Sequence, residues 1–182
     1  VLPSAALDRL LSLSSEFSVP MTLAVIPQPT GQSLADHLAT TKNIDVAVHG
    51  WAHRNHAGPD EKKRELGLHR PLETVTGELH AGLEKLEELY GTRFVSMLVP
   101  PWNRIDDAIV GQLHDLGYRA LSVYGPEKMD PISELNTHVD VIDWRGTRGG
   151  KDHDLLFEEL ALRMHEAHKA SRMTGILTHH LD

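Results

Sequence analysis

The chain has 182 residues and is 40% apolar before its 14 glycines are counted, which excludes a disordered polymer and leaves room for one ordinary domain. It contains no Cys, so disulfides, thiolate metal sites and a Cys nucleophile are excluded together. Its 18 basic and 26 acidic residues, net charge -8, offer no basic face to nucleic acid.

Leu7, Leu10, Leu11 and Leu13, with Phe17 beyond, follow a helical period and predict an amphipathic helix after Pro3-Ser4. Met21 to Ile26 reads as a buried strand closed by Pro27 and Pro29. A second helix over 33–41 and a strand over Ile44 to Val48 complete a βαβ pattern. Pro71 to Tyr90 is the longest predicted helix, with Leu79, Leu83, Leu86 and Leu89 on one side and Gly91 as its stop. A strand over Phe94 to Val99, a helix over Ile105 to Leu116 and a strand over Arg119 to Tyr124 follow. Asp106-Asp107 favours the N-terminus of that helix. A polar loop, a strand over His138 to Trp144, a helix over Asp152 to Met173 and a strand over Gly175 to His179 close the chain. Gly146 and Gly149-Gly150 read as a flexible loop, and no Gly-rich dinucleotide or phosphate signature is present. Six strands with helices between them predict an α/β fold of parallel strands, a barrel rather than a dinucleotide-binding sheet. No apolar run approaches the ~20 residues that span a bilayer, and the start lacks the marks of a signal peptide.

Thirteen His stand beside three each of Phe, Trp and Tyr, an imidazole surplus that turns the search toward a nitrogen-ligated metal. In parallel α/β folds the C-terminal strand ends share one rim. Here they carry His49, Trp51 and His53, then Trp102 and Asn103, then Asp143 and Trp144, then His179 and His180. His49 and His53, four residues apart, would share one face of a helical turn and reach one ion; taken alone, the spacing reads more readily as two hydrogen-bonding loop residues. The zincin pattern is excluded because Gly50 stands where it needs Glu. His56 extends the series or is a solvated loop residue. Trp51 lines either the core or the pocket, and His165 and His168 read as solvated helix-face residues.

The run His49-Gly50-Trp51-Ala52-His53 resembles the His-[Ser/Thr]-x-x-His motif of the polysaccharide deacetylase family, also called the NodB-homology domain or carbohydrate esterase family 4. Pro101-Trp102-Asn103 resembles the end of its Arg-x-Pro-[Tyr/Phe]-x motif, Asp140 to Trp144 its Asp-x-x-Asp-Trp, and Leu177-Thr178-His179 its Leu-x-His. The resemblance implies a distorted (β/α)7 barrel, of which this segment holds six strands, and one divalent metal ion, zinc first. By position, His49 and His53 would be metal ligands and His179 the general acid. Pro101, Trp102, Asn103 and Trp144 would bind substrate, with the Trp102 N–H as oxyanion donor.

The implied reaction is hydrolysis of acetyl groups on a carbohydrate, N-acetyl before O-acetyl. The alternatives are a catalytically silent carbohydrate-binding relative and a metal hydrolase of a non-sugar amide. The family's third ligand and its base, an Asp-Asp pair on a first strand, have no counterpart in place, so the chain is expected to be a single domain over 1–182, truncated at both ends. Val99 stands where the family has Arg, and Arg104 is expected to substitute by reaching Asp143. Gly50 replaces a bracing hydroxyl, and Trp102 is bulkier than the usual aromatic. The compartment expected is the cytoplasm, with periplasm or secretion left open; the oligomeric state is not legible.

Overall fold

The computed structural model describes residues 3–128 and 131–179. Five strands, β1 (Met21–Val25), β2 (Ile44–Val48), β3 (Phe94–Leu98), β4 (Ala120–Leu121) and β5 (Ser133–Glu134), form a parallel sheet in chain order. β6 (Val139–Asp140) and β7 (Ile176–Leu177) form a second parallel pair. A bridge between Tyr124 and Thr137 carries the β4–β5 ladder almost to the start of β6. Among the described residues neither sheet closes on itself, and β1 and β5 are the edges of the five-stranded sheet.

The helices are α1 (Ala5–Phe17), α2 (Gln32–Leu38), α3 (Leu72–Tyr90), α4 (Asp107–Val110) and α5 (His153–Lys169). In α1, Leu7 and Leu11 are buried one turn apart, and the Ser4 side chain caps the first turn by accepting from the Leu7 N–H at 3.2 Å. Phe17, beyond that stripe, is exposed. In α3, Val75, Leu79, Leu83, Leu86 and Tyr90 face inward, and Gly91, at φ 51°, ends the helix by donating its N–H to the Glu87 carbonyl. These side chains meet Val25, Val46, Val48 and Leu98 of the central strands in one core. Parallel strands covered by helices bury both faces, which is why β2 reads as a nearly continuous apolar run.

The second half departs from the sequence pattern. The helix expected over 105–116 has only its first turn in α form, capped by Asp106 accepting from the Ala108 N–H at 3.0 Å. Just beyond Gly111 the Gln112 and Leu113 N–H groups make i→i−3 bonds, and Ile105 pairs with Leu66 instead of joining the helix. The strand expected over 119–124 is cut short because the buried Asn136 side chain accepts from the Val123 N–H at 2.9 Å. β5 lies in the region read as a polar loop. The strand expected over 138–144 ends at Asp140, whose carboxylate takes the Ile142 N–H at 2.9 Å.

Candidate active site

His49 follows β2 directly, and its Nδ1 lies 2.8 Å from the Val99 carbonyl at the end of β3. A carbonyl only accepts, so Nδ1 carries the proton and Nε2 holds the lone pair. Burial pushes the His49 pKa from 6.5 down to about 4, against the upward pull of the Val99 bond; charge on His53 and on His179 pushes it further down. The ring is therefore neutral at physiological pH, as a ligand must be.

The 49–54 segment is a loop with no helical turn; Gly50 (φ 62°) and His53 (φ 54°) both occupy the left-handed region. The expectation of one helical face is thus corrected, yet the turn still brings the His49 and His53 ring centroids to 5.1 Å. A Cβ on Gly50 would collide with Glu65 Oε2 and with the Pro101 ring, so the position admits only glycine. Glu65, 1% exposed, accepts the backbone N–H groups of Trp51 (3.2 Å), Ala52 (2.8 Å) and Arg54 (3.2 Å). It braces the loop where the family uses a hydroxyl. No pattern flagged it, because an acidic residue after Lys62-Lys63-Arg64 looks solvated.

Trp102 (φ 56°) and Asn103 (φ 55°) are both left-handed, an unfavourable state for a bulky indole. The turn sets the Trp102 ring 4.4 Å from that of His53. Among the described residues the Trp102 N–H meets no acceptor. Pro101 is buried beneath Gly50, and Asn103 is exposed. Trp51 turns away, its ring over Gly82 of α3. His56 lies apart as well: partial burial and the nearby Arg70 lower its pKa.

On the β6–β7 side, His179 Nε2 is 3.2 Å from Asp140 Oδ1, and the Trp144 ring meets that of His179 edge-on at 5.2 Å. Asp140 also accepts the Trp144 indole N–H at 2.7 Å. Asp140, and not Asp143, is thus the carboxylate beside His179. Asp143 instead closes a turn by accepting from the Gly146 and Thr147 N–H groups, bonds that hold its pKa below the usual range. The expected Arg104–Asp143 pair is not formed, because Arg104 donates to the Lys63 carbonyl at 3.0 Å. His180 lies outside the described residues.

The donor set fits a divalent ion at His49 and His53, the first having its second nitrogen fixed by a backbone carbonyl in the manner of metal-bound imidazoles. Among the described residues no third carboxylate, imidazole or thiolate joins them.

Parallel strands alternating with helices, with imidazoles, an acid–imidazole pair and indoles after the strand ends, define an α/β protein. Residues 2–121 match the family model for polysaccharide deacetylase, and the chain belongs to that family. Its fold resembles a candidate polysaccharide deacetylase from Mycobacterium smegmatis (TM-score 0.65, 21% identity, covering 95% of this chain and 62% of that one). It also resembles a family 4 carbohydrate esterase from Streptomyces lividans solved with acetate (TM-score 0.62, 14% identity, 98% and 74%). A third likeness is a de-N-acetylase from Aggregatibacter actinomycetemcomitans (TM-score 0.53, 10% identity, 71% and 63%). The chain therefore spans 62% of the length of the mycobacterial protein. No curated protein matches it.

Proposed function

We propose that this chain forms the catalytic part of a metal-dependent hydrolase that removes acetyl groups from a carbohydrate, N-acetyl in preference to O-acetyl. One divalent ion, zinc first, would be held by His49 and His53. The observation that carries the reading is the His49 Nδ1 contact to the Val99 carbonyl at 2.8 Å, which presents a neutral Nε2 beside His53. Membership of the polysaccharide deacetylase family supports the reaction class.

When bound, such an ion supplies a Lewis acid that polarises the acyl carbonyl and acidifies a water molecule. The Trp102 N–H, fixed by its left-handed backbone, would donate to the developing oxyanion, a role worth about 3–4 kcal/mol for a preorganised donor. His179 faces Asp140 through Nε2, which leaves Nδ1 to protonate the departing group. An amine leaves far less readily than an alkoxide, so a held general acid suits an amide more than an ester. The half-exposed Trp144 ring offers an apolar face for a pyranose.

The test is acetate release by the full-length protein from an N-acetylated and an O-acetylated oligosaccharide. The reading expects faster release from the N-acetyl substrate, loss on chelation with recovery on adding Zn²⁺, and a severe loss in His179→Ala. Release that survives both chelation and His179→Ala, or binding of sugar with no release, would overturn it.

A further inference from the structure

Among the described residues Glu65 is the acceptor for three loop amides, those of Trp51, Ala52 and Arg54, which flank His53 and have no helix or strand partner of their own. A carboxylate sealed from water is costly unless its lone pairs are filled, and here N–H groups fill them from one side. The same residue is tied to the second loop of the site. Its neighbour Leu66 bridges Ile105 and accepts the Asp106 N–H at 2.9 Å, while Lys63 accepts from Arg104 at 3.0 Å. The 63–66 segment therefore runs beside 104–106, directly after Trp102 and Asn103. The Cβ space of Gly50 is filled jointly by the Glu65 carboxylate and the Pro101 ring, so the two loops are gauged against each other at that point.

We infer that Glu65 is a positioning residue that sets the His49–His53 pair and, through Leu66, the Trp102 turn in one arrangement. The inference rests on the metal reading above for its effect on ion binding. Gln at this position keeps the shape but offers one acceptor oxygen and an NH₂ that opposes a backbone N–H. Asp keeps the charge and withdraws it by one methylene.

The experiment titrates Zn²⁺ calorimetrically into full-length wild type, Glu65→Gln, Glu65→Asp and Tyr118→Phe, and measures amide exchange of Ala52 and Arg54 in the metal-free proteins. Tyr118→Phe is the control, since it loses a buried bond to the Leu79 carbonyl in the core. Glu65→Gln is expected to bind Zn²⁺ at least about tenfold more weakly and to exchange those two amides faster, with the control unchanged in both. If the Gln variant fails to fold, the Asp variant carries the same expectation at smaller size. A folded variant that matches wild type in Zn²⁺ affinity and in protection of both amides overturns the inference and leaves the metal reading standing. Wild type that takes up no Zn²⁺ overturns the metal reading, and the inference with it.

Discussion

The Trp102 indole lies 4.4 Å from the His53 imidazole, and both residues hold left-handed backbone angles, φ 56° and φ 54°. Two strained turns from different strand ends thus meet ring to ring. Such strain costs on the order of 1–3 kcal/mol per residue and persists only where the surroundings over-determine it. Trp102→Gly is expected to relax the backbone while removing the ring. Urea unfolding should show stability within about 1 kcal/mol of wild type, while acetate release falls steeply. Trp102→Phe should keep more of the activity than the Gly variant. A Gly variant as active as wild type would contradict the assignment of this turn to the site.

Asp140 holds the rim from the other side. It is 8% exposed and accepts from the Ile142 N–H and the Trp144 indole while facing His179. Asp140→Asn keeps the shape but removes the charge opposite the imidazole. The expected result is a fall in kcat of at least about tenfold with KM little changed, because the imidazole loses the carboxylate that orients it. Asp140→Ala should in addition cost about 2 kcal/mol of stability, because two donors lose their acceptor. An Asn variant with unaltered kcat would remove Asp140 from the mechanism.

His49 makes stability depend on pH. Its pKa is about 4 in the folded protein against 6.5 in the unfolded chain, so between those values the unfolded chain binds the extra proton. Stability is then full above about pH 6.5 and declines as pH falls toward 4, by at most about 3 kcal/mol from this residue. Urea unfolding of metal-free wild type and His49→Gln at pH 7 and pH 5 measures it. The variant should lose less stability on acidification than wild type; equal losses would contradict the burial assigned to this ring.

The first half of the fold is legible because its elements have clean periods. The Leu7/Leu11 and Leu79/Leu83/Leu86 stripes and the apolar run of β2 each have one favourable structure. The second half is less legible because side chains divert the backbone. Asn136 takes the Val123 N–H and Asp140 takes the Ile142 N–H, which shortens two strands that look longer in sequence. In the site, His49, His53, Trp102, Trp144 and His179 stand among the residues that follow strand ends, and the family resemblance selects them from that larger set. The motif alone favours Asp143 over Asp140, since both fit an acidic pair and only the turn through Gly146 and Thr147 separates them. Glu65 has no motif at all: its role arises from a loop closing over it from residues 51–54.

The central claim is that His49 and His53 hold a cation together. It is tested most directly by calorimetric Zn²⁺ titration of full-length wild type, His49→Ala and His53→Ala, with circular dichroism confirming the fold of each. The account predicts one Zn²⁺ per wild-type chain and a loss of affinity of roughly a hundredfold or more in either variant. Equal Zn²⁺ affinity in wild type and a folded His49→Ala or His53→Ala variant would contradict it.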